Sequence, residues 1–299
     1  MKQVVSVSLG SPRRDFATEI ETKFCRLSVR RIGTGGDIKR AAALLTSFDG
    51  KVDALGLGGV NFTLRAGHRR YKLRDGARLA ALVKRTPLVD GGGIKDTVER
   101  DLIPFIQAQA GWPRQGQTVL IVSALDRYAL AVALEKAGCR LVIGDALFAL
   151  GLPAPFYSLS SFRVAACLTL PFLGRMPIGW LYPVGERQES IVPRFERFYR
   201  KADVIAGDFH FLRRHLPGDL SGKNIITSTL TPEDVQELKK RGVMWLAAPG
   251  PSFQGRSLGS NVLEAASVAI MRKGGEARPE FYPELFKQIG WEPRLERLN

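Results

Sequence analysis

At 299 residues, with 45% hydrophobic and 24% charged residues, the chain has the composition of a globular protein with room for two domains, which excludes disordered and fibrous classes. Its 44 Lys and Arg against 29 Asp and Glu give a formal charge of +15, a field that attracts phosphate-bearing partners without choosing among them. Three scattered cysteines, Cys25, Cys139 and Cys167, exclude a disulfide frame and a zinc site with paired ligands; they read as buried thiols in a reducing cytoplasm.

The N-terminal run Val4–Leu9 reads as a buried strand and not a secretory leader, because no small-residue cleavage site follows it. Two further strands, Val52–Leu57 and Thr86–Val89, alternate with helices over Asp37–Phe48, Ala77–Lys84 and Thr97–Ala110. That rhythm predicts a mainly parallel sheet. The densest basic run, Arg65–Arg74, is either solvated surface or an anion patch.

Gly111–Gln117 mixes Gly, Pro and polar residues and serves as the linker. After it comes a compact βαβ unit: strand Thr118–Val122, helix Asp126–Ala137 stopped by Gly138, and strand Arg140–Ile143 ending at Asp145. The apolar stretch Val164–Pro183 is interrupted by Pro171, Arg175 and Pro177, so it predicts a core or dimer-interface helix broken at the prolines, not a membrane span. Strands Asp203–Ala206, Asn224–Ser228 and Val243–Ala247 then alternate with helices Phe209–His215 and Thr231–Arg241, the latter capped by Thr231 with Pro232 in its first turn. Asn261–Met271 is a long apolar helix, and Arg278–Asn299 reads as a polar tail on the surface. The expected fold is two-domain α/β. Residues 1–112 form an α/β substrate domain and 113–255 a Rossmann-like parallel-sheet nucleotide-binding domain, while the helix and tail of 256–299 return to the first.

In open parallel sheets ligands bind outside the carboxyl ends of the strands, which selects the post-strand loops. Gly91–Thr97 offers three glycine amides, a helix start and Lys95 to an anion, though its spacing is not that of a P-loop. Ser123–Arg127 stands where G-x-G-x-x-G is expected, so side chains occupy space that backbone normally leaves for a pyrophosphate; Arg127 and the helix start would hold phosphate from another angle. Asp145 lies where a carboxylate meets ribose hydroxyls and would favour NAD over NADP, with Arg140 nearby pulling the other way. His210 follows a strand and reads either as an acid/base or substrate contact or as a capping histidine.

Gly59-Val-Asn61-Phe-Thr63-Leu, the segment Gly255-Arg-Ser-Leu-Gly-Ser-Asn261-Val-Leu-Glu264-Ala and the order of parts along nearly the whole chain resemble the quinate/shikimate 5-dehydrogenase family. The resemblance implies NAD(P)-dependent oxidation of a ring hydroxyl on a small polyol acid such as quinate or shikimate. It would place Asn61, Thr63, Asn261 and Glu264 at the substrate and Ser123, Asp126, Arg127, Asp145 and Ser228 at the cofactor. Lys95 with Asp90 or Asp96 would stand in, from a different loop, for the family's lysine–aspartate pair, and Lys95 or His210 would take the hydroxyl proton. The missing glycines and the missing family lysine favour a second reading. Here the scaffold is a non-catalytic binding protein that senses a small anionic metabolite or a nucleotide. Nucleic acid is a further partner, not favoured because the pairs Arg13-Arg14, Arg30-Arg31, Lys84-Arg85 and Arg213-Arg214 are scattered. A homodimer, and a pocket for a greasier substrate lined by Val164–Pro183, stay open.

Overall fold

The computed structural model describes residues 1–177, 190–271 and 278–299. The first sheet uses β1 (Lys2–Ser8), β2 (Phe16–Glu21), β3 (Arg26–Gly33), β4 (Ala54–Gly58) and, after a separate hairpin of β5 (Thr63–Ala66) and β6 (Arg69–Lys72), β7 (Leu88–Val89). Its order is β2-β3-β1-β4-β7, parallel throughout except for β2 at the edge. The central strands bury Val4, Val7, Leu55 and Leu57 completely, as strands covered on both faces must. Neither β2 nor β3 was expected. Alternating Thr, Glu and Arg with apolar residues is the pattern of a sheet edge, which a search for apolar runs passes over.

The second sheet contains β8 (Thr118–Ile121), β9 (Arg140–Ile143), β10 (Val204–Ala206), β11 (Asn224–Ile226) and β12 (Trp245–Ala248). A short hairpin of β13 (Ser252–Phe253) and β14 (Arg256–Ser257) precedes β15 (Arg294–Arg297), which closes this sheet's edge. The order is β15-β12-β11-β10-β8-β9, with only β15 antiparallel. In both sheets the chain starts in the middle, adds a strand on one side, then crosses to the other. The order therefore reverses between β1 and β4 and again between β8 and β10. Such reversals open a crevice at the carboxyl ends of the strands.

Two helices tie the sheets together. Val98–Ala110 leaves the first sheet and buries Leu102, Ile103 and Ile106 in the core of the second. Ser260–Met271 returns to lie on β1 and β4, with every residue buried except Asn261 and Met271. Its approach dictates glycine beneath it, because a Cβ on Gly56 would lie 2.8 Å from the Asn261 carbonyl oxygen. The segment expected to run wholly back to the first domain instead divides. Its helix does so, whereas β15 pairs with β12, so Arg278–Asn299 is not a surface tail.

Much of the basic charge is structural. Arg14 Nη2 reaches Asp234 Oδ2 at 2.6 Å and the Thr229 carbonyl at 2.5 Å, a buried strut between the two sheet-bearing regions. Arg31 Nη1 pairs with Asp15 at 2.7 Å, and Arg65 and Arg70 of the β5–β6 hairpin hold Asp96 at 3.1 and 2.8 Å. The apolar stretch begins earlier than expected, as helix Leu159–Leu173, with Pro171 in its last turn; residues 178–183 of the predicted segment lie outside the described residues. That helix buries Phe162, Ala166 and Leu170 and exposes Val164, Leu168 and Phe172. Among the described residues no helix is long and apolar enough to cross a membrane.

Candidate functional site

Both strand-order reversals face a single cleft, open at its mouth. The first sheet contributes Ser8 at the end of β1, Gly58–Asn61 at the end of β4 and in the turn beyond it, Asp90 after β7, and Lys95. Asp126 and Arg127 follow β8, Asp208 and His210 follow β10, Ser228 follows β11, and the N-terminus of helix Ser260–Met271 closes the floor.

A continuous polar network spans the cleft. Lys95 Nζ donates to Asp126 Oδ1 at 2.7 Å and to Asn61 Oδ1 at 2.9 Å, while Asn61 Nδ2 donates to the same Asp126 oxygen at 2.6 Å. Arg127 pairs with Glu99, donates to Ser228 Oγ at 2.8 Å and lies 3.7 Å from Asp208. Ser260 Oγ donates to Glu99 Oε1 at 2.8 Å and ties the returning helix to the network. Burial opposes every charge here, but mutual attraction prevails at the central pair: Asp126 holds the Lys95 ammonium above its ordinary value, and Lys95 holds Asp126 below its own. Arg127 is likewise driven up, burial being outweighed by Glu99, Asp126 and Asp208. Asp208 goes the other way: burial raises it despite Arg127.

The two turns expected to receive an anion are both supplied with a carboxylate by the chain itself. In the glycine turn, Asp90 Oδ1 accepts from the Gly92 amide at 3.0 Å and Glu264 Oε1 from the Gly93 amide at 3.1 Å. The other Asp90 oxygen accepts from the Phe62 amide at 2.5 Å. After β8, Asp145 accepts from the Ala124 and Leu125 amides at 2.8 and 2.9 Å. These carboxyls occupy positions where a phosphate would need the amides. Burial pushes Asp145 up to about 7, against the opposing pull of the Leu125 and Ala124 amides. Glu264 also rises to about 7, through burial and then the nearby Asp90 charge.

Asn61, Lys95, Asp126, Arg127, Asp208, His210 and Ser228 are thus drawn together as cleft residues. Lys95 takes Asp126 as its carboxylate partner, correcting the expected pairing with Asp90 or Asp96; Asp90 caps two turns and Asp96 is held by the basic hairpin. Thr63 sits in β5 opposite Lys72 and does not line the cleft. Asn261 lines it but gives its amide to Ser6 Oγ at 2.7 Å, and Glu264 lies behind the glycine turn with Tyr282 donating to it at 3.4 Å. Ser123 Oγ accepts from the Asp208 amide at 3.4 Å. Sequence reasoning missed Glu99, hidden in the register of an ordinary amphipathic helix. It also missed Arg31 and Ser260, whose neighbours in the cleft arrive from remote parts of the chain. Among the described residues no group of three His, Cys, Asp or Glu side chains is placed to hold a metal ion.

The fold and site define a mixed-sheet α/β protein with two sheet-bearing regions and a polar cleft between them. The chain belongs to the family described as Domain of unknown function (DUF8754), whose model matches residues 93–298; residues 3–90 match a second model, Domain of unknown function (DUF8753). The two matches meet at the glycine turn. No curated protein matches the sequence. Among solved structures, the chain is similar to a Mycobacterium smegmatis protein in complex with β-D-fucofuranose, at 9% identity over 100% of this chain and 92% of that one, TM-score 0.35. It is also similar to a glucose-galactose binding protein from Geobacillus stearothermophilus, at 10% identity over 99% and 97%, TM-score 0.38. A third is the Leu-bound hetero-hexameric glutamate dehydrogenase of Thermus thermophilus, at 14% identity over 97% and 73%, TM-score 0.42. At such scores these likenesses carry no argument about what this chain binds. The family match is to these domains of unknown function and not to the quinate/shikimate dehydrogenases, which corrects that resemblance. The oxidoreductase reading falls with it. The geometry agrees, because the Asp145 carboxylate assigned to a ribose is spent on backbone amides.

Proposed function

We propose that the chain is a non-catalytic binding protein that takes a small, uncharged, polyhydroxylated molecule, a sugar or cyclic polyol, in the cleft between its sheets. One observation carries this reading: among the described residues, each Lys or Arg lining the cleft already has a carboxylate of its own. Arg31 pairs with Asp15, Lys95 with Asp126 and Arg127 with Glu99. An incoming phosphate or carboxylate would have to break such a pair while facing Asp90, Asp126 and Asp208, at a cost of several kcal/mol for a buried pair, typically about 3–5. A hydroxyl meets no such barrier, because it donates to a carboxylate and accepts from an ammonium or amide at once. This balance narrows the anionic metabolite expected from the glycine turns to a neutral one. The three free cysteines fit a cytoplasmic setting.

Calorimetry with a panel of uncharged aldoses and cyclic polyols tests the proposal. Saturable binding of one member, weakened roughly tenfold by Asn61→Ala and by Asp208→Asn, is expected, with the ligand recovered unchanged after incubation. Consumption of the ligand, or a full panel without heat while phosphorylated compounds bind, would overturn it.

A further inference from the structure

Beside the cleft lies a second chamber of about 270 Å³, larger than the first and lined almost entirely by apolar atoms. Phe156, Phe162 and Leu170 form its walls, and Ala149 and Ala165 leave room where larger side chains would close it. Protein interiors are close-packed, and an apolar space of this size forgoes contacts unless something fills it. The chamber is not isolated: Asp126 and Phe211 line both spaces, so one face of the Asp126 loop meets hydroxyl-binding groups and the other meets hydrocarbon. At the outer rim Leu150 and Leu152 are about half exposed, at 48% and 52%.

We propose that the ligand is amphiphilic, an alkyl-substituted sugar or polyol whose hydroxylated head sits in the cleft and whose alkyl arm occupies the adjoining chamber. The inference rests on the cleft reading above and extends it by naming the second half of the ligand. The arm is held by apolar burial alone. Affinity therefore rises roughly fourfold for each added methylene until the chamber is full.

The test uses the full chain and two probe series, read by calorimetry. In the first, methyl, butyl, hexyl and octyl glycosides of the best-binding sugar are titrated into wild type, Ala149→Trp and Ala165→Phe. Both variants place a large ring in the chamber from half-buried positions outside the cleft, and melting curves confirm that each folds. Wild type should show the fourfold ladder, whereas the variants should lose it and bind the unsubstituted sugar unchanged. A flat series in wild type, or a ladder that survives both variants, overturns the proposal. The second series, n-butanol, n-hexanol and n-octanol, probes the chamber without a head group. Alkanol binding lost in the variants, combined with no gain from any hydroxylated head, overturns the cleft reading and the joined ligand together. If sugars bind and alkanols do not, the cleft reading stands and the chamber inference fails.

Discussion

Glu264 gives the account its sharpest stability prediction. Its carboxyl is 5% exposed, accepts from the Gly93 amide at 3.1 Å and is pushed up to about 7, by burial first and the Asp90 charge second. An acid whose folded value exceeds its ordinary 4.5 keeps a proton that the unfolded chain releases. Its contribution is therefore fully present below about pH 4.5 and is lost as pH rises through 7. The slope is about 1.4 kcal/mol per pH unit, or about 3 kcal/mol over that window. Glu264→Gln keeps an oxygen for the Gly93 amide and the Tyr282 hydroxyl but has no proton to lose. Urea unfolding at pH 4.5, 5.5, 6.5 and 7.5 should show the variant gaining about 3 kcal/mol on wild type from the acid end to the neutral end. A wild type–variant difference that stays constant across that range would refute the claim that this carboxyl is held protonated behind the glycine turn.

Three further outcomes follow from the same structure. Lys95→Met and Asp126→Leu should each destabilise by about 3–5 kcal/mol, since each leaves a buried charge without its nearest opposite charge, and the double variant should recover most of that loss in a double-mutant cycle; additive losses would show the pair to be solvent-screened. Gly91→Ala should lower the melting temperature markedly, because φ is +91° there and the added Cβ would lie 2.6 Å from the Asn261 amide; an unchanged melting curve would mean the returning helix does not press on the turn. Arg14→Ala should cost about 3–5 kcal/mol through loss of its buried Asp234 partner, while Arg13→Ala, beside it but outside that ion pair, should be near neutral; equal effects would contradict the strut.

The parallel strands were legible because covered strands read as unbroken apolar runs, and the loops after them could be picked out by the strand-end rule alone. Glu19 and Glu21, which alternate with apolar residues along β2, and Arg30 and Arg31 at the end of β3 disguised those strands as loop, and the polar tail concealed β15. The site was half readable. Lys95, Asp126, Arg127 and Asn61 were singled out and do converge, but their partners were not readable, because pairing across some thirty residues or more depends on tertiary approach. The instructive failure concerns the anion sites. Glycine amides at a helix start invite a negative charge, and local sequence cannot say whether a carboxylate such as Glu264, 171 residues away, already provides it.

Among the described residues, the positive charges of the cleft are spoken for before any ligand arrives. Calorimetry of one uncharged sugar that binds, set against its own phosphate ester at 20 and 200 mM salt, measures this most directly. The uncharged sugar should bind at least tenfold more tightly, with an affinity indifferent to salt. Tighter binding of the phosphate ester, falling steeply as salt rises, would contradict it.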